Sequence, residues 1–145
     1  LLYLSYYFKR NRAEYYDRLM TVRLEGDWEG WVKFFLRGII EISEESTESA
    51  RKIDDLRVRA KAAIDASEGS TASNARRLLD QLFVTPTVTR GKVADALGIS
   101  PPTASALIRR FEEQLGILVD ATPHLQRGKA YTFKEYMDIL EVGTN

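Results

Sequence analysis

The feature that most constrains the fold of this chain is an alternation of helix-ending and helix-starting residues between positions 89 and 110. Thr89 is suited to cap the N-terminus of a helix, and Gly98 is suited to be the left-handed residue that ends one. Ser100 then caps a second helix, with Pro101 in its first turn, where a missing N–H loses no hydrogen bond. The pattern predicts two short helices joined by a tight turn, which is a helix-turn-helix.

The second of these helices has one apolar face, and the segments around the pair follow the order of a winged domain. The apolar positions recur at helical spacing; they are Ala104, Leu107, Ile108, Phe111 and Leu115. The predicted segments are, in order, a helix over 74–84, a strand at 87–88, the two helices, strands at 117–119 and 130–133 around a polar loop, and a helix over 134–141. This order predicts a winged helix-turn-helix domain, in which the loop between the last two strands is the wing.

The first 66 residues are expected to be helical throughout. Helices are predicted over residues 1–9, 12–25 and 28–66, with Gly26 ending the second and Asp27 capping the third. The third segment contains no proline and has a heptad-like seam of apolar and small residues; its members are Phe35, Ile39, Ile42, Ser46, Ser49, Ile53, Leu56, Ala60 and Ala63. Unbroken, it would be about 58 Å long; the alternative is a helix broken near residues 43–49.

A helix of that length is too long to be covered by so short a chain alone. We therefore expect a partner for the seam, either protein that precedes this chain or a second copy in a homodimer. Residues 67–73 are small, polar and rich in helix breakers, and they predict a linker. The predicted fold class is mainly α, with a helical segment at 1–66, the linker, and a winged helix-turn-helix domain at 74–145.

Eight side chains of the winged domain are candidates for contact with DNA. In such domains the exposed side of the second helix enters the major groove, and flanking residues contact the phosphate backbone. Pro102 and Ala106 lie on that side of the helix together with four of the candidates. The eight candidates are Arg90, Lys92, Thr103, Ser105, Arg109, Arg110, Arg127 and Lys129.

The charge of the domain does not favour DNA over other partners. Residues 71–145 contain nine Lys and Arg against eight Asp and Glu, whereas a dedicated DNA-binding domain usually has a strong basic excess. Glu112, Glu113 and Asp120 are expected to face the same region and to oppose phosphate. Winged helices also dock proteins, because a fold does not determine a function. A protein-docking or dimerisation scaffold without nucleic-acid contact therefore remains the alternative.

Nothing in the sequence indicates catalysis, a cofactor or a metal site in this chain. The single histidine, His124, lies in the predicted wing without acidic or cysteine neighbours at ligand spacing, and the acidic pairs on the helices point about 100° apart. The chain has no cysteine, which fits a reducing cytoplasm. The apolar opening, residues 1–8, is too short to span a bilayer, so no membrane partner is expected.

The N-terminal segment resembles the C-terminal part of Fic-family proteins. The resemblance rests on residues 2–12, on Tyr-Tyr at 15–16, on Gly-Asp-Trp-Glu-Gly-Trp at 26–31 and on Phe-Phe-Leu at 34–36. The helix that begins with Ser-Asn-Ala at 73–75, the helix-turn-helix and the wing resemble the winged tail of the same proteins. Most Fic proteins transfer AMP from ATP to a hydroxyl side chain of a target protein.

The resemblance implies that residues 1 to about 66 are the last helices of the Fic core and its C-terminal extension, and that the winged helix is a regulatory tail of a bacterial AMP transferase. The catalytic loop of the family, His-Pro-Phe followed by Gly-Asn-Gly-Arg, is absent, since His124 is followed by Leu125. The implied catalytic core, its ATP and magnesium, and the unknown target protein would then belong to the parent protein, and no catalytic residue is carried over. Because the chain begins with Leu1 rather than Met, we expect that protein precedes it.

Overall fold

The computed structural model describes residues 2–66 and 72–141, and it confirms a mainly helical fold that includes a winged helix-turn-helix. The elements are α1 (Leu2–Arg10), α2 (Arg12–Glu25), α3 (Trp28–Ala66), α4 (Ala72–Val84), β1 (Thr87–Thr89), α5 (Arg90–Leu97), α6 (Pro101–Arg109), a π-helical turn (Arg110–Gln114), β2 (Val119–Asp120), β3 (Ala130–Thr132) and α7 (Lys134–Glu141). Of the predicted linker 67–73, residues 67–71 lie outside the described ranges. The other two already belong to α4.

Two compact units make up the chain, and their division falls inside α3. The first consists mainly of residues up to Arg51, and the second is Lys52–Ile139. The helix is continuous from Trp28 to Ala66, so the alternative of a break near residues 43–49 is not observed.

The first unit packs α1, α2 and the beginning of α3 around aromatic rings. Tyr7 and Phe34 are buried, with their ring centroids 5.4 Å apart. As predicted, Gly26 ends α2 at a φ of 72°, and the Asp27 side chain accepts from the Gly30 amide at 2.9 Å and so caps α3. Gly38 permits close packing, since a Cβ there would lie 2.6 Å from Tyr7 Cδ1.

The second unit has a single core that α3 helps to form. Its buried members come from α3 to β3 and the residue after it; they are Leu56, Ala60, Ile64, Ala75, Leu78, Leu79, Leu82, Phe83, Val88, Val93, Ala94, Leu97, Ala104, Leu107, Ile108, Phe111, Ile117, Leu118, Tyr131 and Phe133. The C-terminal part of the predicted seam, at Leu56 and Ala60, is therefore covered within this chain. The expectation that this part needs an external partner is corrected accordingly.

The wing is shorter than the sequence predicts. A three-stranded antiparallel sheet has the order β1-β3-β2, with Val88 opposite Tyr131 and Val119 opposite Thr132. The strand predicted at 117–119 is found at Val119–Asp120 instead. The amides of Ile117 and Leu118 both donate to the Phe111 carbonyl, at 2.8 and 3.1 Å, so they close the end of the preceding helix rather than join the sheet.

No helix among the described residues is long and apolar enough to cross a membrane.

Candidate nucleic-acid interface

The helix-turn-helix consists of α5 and α6, and local capping fixes its geometry. Thr89 accepts a hydrogen bond from the Lys92 amide at 3.3 Å and starts α5, and Gly98 ends it at a φ of 64°. Ser100 accepts from the Thr103 amide at 3.3 Å and starts α6. Each of these three roles is confirmed as predicted. The turn is short because the left-handed residue and the next cap are two positions apart.

The outward face of α6 is a narrow stripe of three exposed side chains. Ala104, Leu107 and Ile108 are buried in the core of the second unit. The opposite positions, Pro102, Ala106 and Arg109, are exposed. Because residues three and four apart share a helix face, these three side chains form one surface. It is the surface that a winged helix presents to a major groove.

The two hydroxyl candidates flank this stripe and are half-buried. Thr103 Oγ1 lies 2.8 Å from Ser100 Oγ, so its hydroxyl takes part in the cap of α6. Ser105 is on the other flank of the helix. Neither side chain projects as far as Arg109, which is exposed at the end of α6.

A cleft between the start of α4 and α6 contains the half-buried Arg110. Its volume is about 250 Å³, and it is lined by Asn74, Thr103, Ala106, Leu107, Arg110 and Gln114. Asn74 and Gln114 were not among the predicted site residues. Asn74 comes from α4, and only the fold brings it next to α6, whereas Gln114 lies one turn after the predicted Arg110, a spacing that could have indicated it.

A second cleft lies between the start of α5 and the wing. Its volume is about 420 Å³, and it is lined by Thr89, Arg90, Gly91, Gln126, Arg127, Gly128 and Lys129. Three of the predicted cations are therefore brought together here, and Lys92 is exposed on the same first turn of α5. The Gly128 φ of 67° lets the wing reverse direction between Arg127 and Lys129.

Tyr131 holds the Arg90 guanidinium at the edge of this second cleft. Arg90 Nη2 donates to the Tyr131 hydroxyl at 3.0 Å, and its Cζ lies 5.8 Å from the centroid of the same ring. Tyr131 is buried in β3, so it is a fixed support for the arginine. This positioning residue was also missed by sequence reasoning, which identified the strand but not the partner of its side chain.

Lys129 is neutralised by a carboxylate of the wing itself. Its Nζ lies 2.6 Å from Asp120 Oδ2. This hydrogen bond, together with the Thr122 amide at 2.8 Å, holds the pKa of the Asp120 carboxyl below its usual value of 3.8. The same hydrogen bond raises the pKa of Lys129 above its usual 10.5. Asp120, predicted to oppose phosphate, instead offsets one predicted DNA contact.

The remaining candidates differ from Lys129 in their electrostatic surroundings. Within residues 2–66 and 72–141, no ion pair involves Lys92, Arg109 or Arg127. Coulombic attraction by Glu112, in the π-helical turn after α6, also contributes to the raised pKa of Lys129.

Among the residues that the structure describes, no group of three or more His, Asp or Glu side chains is arranged so that it could hold a metal ion. His124 is exposed in the wing.

Comparison with known proteins supports the winged fold and a link to DNA. The sequence model of a family described as winged helix-turn-helix DNA-binding matches residues 73–114. The match covers α4, the helix-turn-helix and the π-helical turn, and it ends before β2. No curated protein matches the chain. The match does not extend to the N-terminal helices, so the resemblance of those residues to Fic proteins stays a prediction.

Proposed function

We propose that the second unit binds double-stranded DNA, with α6 in the major groove and the wing on the phosphate backbone. The observation that carries the proposal is the exposed stripe of α6 in a unit whose wing and α5 form a cleft that collects Arg90, Arg127 and Lys129. The family match over residues 73–114 supports the same reading. A bacterial protein with this role would act in the cytoplasm, where the chromosome lies.

The charge pattern predicts weak electrostatic attachment. Four candidate cations have no carboxylate partner among the described residues, namely Arg90, Lys92, Arg109 and Arg127. Each phosphate that a cation neutralises contributes about −0.9 to the slope of log K against log salt. Three of them, Arg90, Lys92 and Arg127, flank the proposed groove helix, so we expect a slope of about −3, which is shallow for a DNA-binding protein.

Fluorescence anisotropy with a labelled random-sequence duplex at low salt tests this proposal. Arg109→Ala combined with Arg127→Ala should weaken binding and flatten the salt slope by about 1, because only Arg127 is proposed to contact a phosphate. Arg76→Ala is the matched control, since Arg76 pairs with Asp65 on α3 at 2.8 Å and should not affect binding. Absence of duplex binding at micromolar protein, or equal effects of the control and the double variant, would overturn the proposal.

We further propose that the parent protein is a Fic-family AMP transferase and that its catalytic core covers the first unit. The support is the resemblance of residues 2–36 and two exposed apolar stripes at helical spacing. On α2 they are Tyr16, Met20 and Leu24, and on α3 they are Trp28, Val32, Leu36 and Ile40. Apolar stripes of this kind mark surfaces that bury against other protein.

The coding sequence that precedes Leu1 tests the parentage. A His-Pro-Phe motif followed by Gly-Asn-Gly-Arg should be found there, and the longer protein should incorporate labelled AMP into a target. Light scattering of the present chain tests the occupant of the stripes. A monomer of 16.5 kDa is expected at tens of micromolar, whereas twice that mass would assign the stripes to a second copy and favour the dimerisation scaffold.

A further inference from the structure

The exposed stripe of α6 has an unusual chemical composition for a surface that enters DNA. Pro102 and Ala106 present only aliphatic groups, and Arg109 presents one guanidinium. The hydroxyl groups of Thr103 and Ser105, which can bond to more than one base, lie on the flanks of the stripe. The Thr103 hydroxyl is already hydrogen-bonded to the Ser100 hydroxyl, at 2.8 Å. The stripe therefore offers one apolar contact and one bidentate donor.

These two chemistries match two features of the major groove. Among the bases only thymine presents a methyl group there, and small aliphatic side chains contact it. Guanine presents two acceptors, N7 and O6, and an arginine fork binds both. Arg109 is suited to this role, because no carboxylate of the described residues pairs with its guanidinium.

The spacing along α6 relates the two contacts. Ala106 and Arg109 are three residues apart, which is a rise of about 4.5 Å along the helix. Neighbouring base pairs are about 3.4 Å apart. The side chains thus reach the same or adjacent base steps, and the longer arginine can extend one step further.

We propose that α6 reads a guanine and a neighbouring thymine, with Arg109 bound to guanine N7 and O6 and Ala106 against the thymine methyl group. This inference rests on the proposed DNA binding and makes it specific. Pro102, one turn before Ala106, extends the apolar surface of the stripe. Glu113 is exposed one turn after Arg109, where its carboxylate disfavours a phosphate and so keeps the contact at the centre of the groove.

Selection from a random duplex library with the full chain is the first part of the test. The enriched sites should contain a guanine with a thymine no more than two base pairs away. Enrichment of sites that lack this pair, or no enrichment at all while random duplex still binds at low salt, would overturn the inference but leave the proposed function intact. Failure to bind any duplex would overturn both.

Base analogues in an enriched duplex form the second part. Replacing the guanine by 7-deazaguanine removes N7 but keeps O6, so it should weaken binding roughly two- to tenfold, about half of the free energy of a complete bidentate pair. Replacing the thymine by uracil removes only the methyl group and should weaken binding about fourfold. A duplex whose affinity is unchanged by both analogues contradicts the assignment.

Protein variants connect each analogue to its residue. Arg109→Ala should remove the effect of 7-deazaguanine, and Ala106→Gly, which removes the methyl group that contacts thymine, should remove the effect of uracil. Ala62→Gly, at an exposed alanine of α3, is the matched control and should respond to both analogues like the natural chain. If Arg109→Ala retains the full effect of 7-deazaguanine, Arg109 contacts a phosphate instead and the inference fails.

Discussion

Lys129 and Asp120 face each other across the wing, with Nζ 2.6 Å from Oδ2. A cation that the sequence predicts to hold phosphate is thus already held by the protein. Asp120 Oδ1 also accepts from the Thr122 amide at 2.8 Å, so the carboxylate is fixed in place. The pair lowers the positive charge of the wing where a backbone contact is expected, and this is one reason why we predict a shallow salt dependence.

Asp120→Asn should strengthen DNA binding. Asparagine retains an oxygen for the Thr122 amide, but it releases the Lys129 ammonium for a phosphate. We expect a steeper salt slope, by about 0.9, and higher affinity at low salt. Asp138→Asn is the control, because it releases Lys134 on α7 in the same way and removes the same charge. Equal effects of the two variants would show that only net charge matters.

The pH dependence of this pair has a defined sign. Because the pKa of Asp120 is lowered in the fold, its contribution to stability is complete above about pH 4 and is lost as the pH falls through the lowered pKa. The raised pKa of Lys129 adds stability that is lost only as the pH rises through that value, above 10.5. An NMR titration of the Asp120 carboxyl carbon should show the low pKa, and Lys129→Met should raise it. A midpoint at or above 3.8 in the natural chain would contradict this.

Tyr131→Phe should weaken DNA binding without unfolding the second unit. The substitution removes only the hydroxyl that accepts from Arg90 at 3.0 Å, while the ring stays buried in the core. Without this hydrogen bond the guanidinium of Arg90 is no longer held in place before DNA binds. We expect the binding free energy to weaken by about 1 kcal/mol, which is a several-fold lower affinity. Anisotropy measures the affinity, and thermal unfolding checks the fold. Tyr136→Phe removes another tyrosine hydroxyl, which donates to the Phe83 carbonyl, and should leave the affinity unchanged.

Gly38→Ala should destabilise the first unit. A Cβ at this position would lie 2.6 Å from Tyr7 Cδ1, and overpacking of a core usually costs about 1–3 kcal/mol. Gly91→Ala is the matched control: nothing lies within 4 Å of its Cβ, and alanine should stabilise α5 by about 0.5–1 kcal/mol. Urea unfolding of both variants measures the difference. A neutral or stabilising Gly38→Ala would show that α1 and α3 are less closely packed than described.

Leu56→Ala should destabilise the winged domain, although the residue belongs to α3. Leu56 is 3% exposed in the core shared with α4 and the helix-turn-helix. Truncation of a buried leucine costs about 2–5 kcal/mol. Val58→Ala, at a side chain 68% exposed on the same helix, should have little effect. Unfolding followed by the amide signals of α5 and α6 separates this outcome from a purely local change in α3.

The features that the sequence predicted correctly are those that depend on residues close together in the chain. The caps at Thr89 and Ser100 and the left-handed turn at Gly98 each depend on residues within four positions, and all three are confirmed. The apolar face of α6 was predicted for the same reason. The predicted bounds of the wing strand, 117–119, were wrong because the amide of Ile117 donates to the carbonyl of Phe111, six residues earlier, and not to the sheet. A hydrogen bond to a helix end competes there with the sheet, and strand propensity alone does not show which prevails.

Relationships across the fold were harder to predict than the elements themselves. The repeat in α3 identified Leu56 and Ala60 as members of an apolar face, but a repeat does not reveal what covers that face. The same limit applies to Asn74, in the cleft beside α6, and to Tyr131, which supports Arg90 of α5, since both became evident only from the structure. The eight candidate DNA contacts remain predictions, and the structure separates Lys129 from the rest by its carboxylate partner.

Because α3 is divided between two units, the winged helix cannot be separated from the C-terminal part of this helix without loss of core residues. Leu56, Ala60 and Ile64 lie before the breaker-rich stretch that marks the obvious place to cut. A graft that starts at Ala72 would lack these three core side chains and expose the apolar residues that they cover, whereas one that starts at Lys52 includes them. The unit that folds independently is therefore longer than the helix-turn-helix motif, and a fragment cut at the edge of the motif should be prone to aggregation.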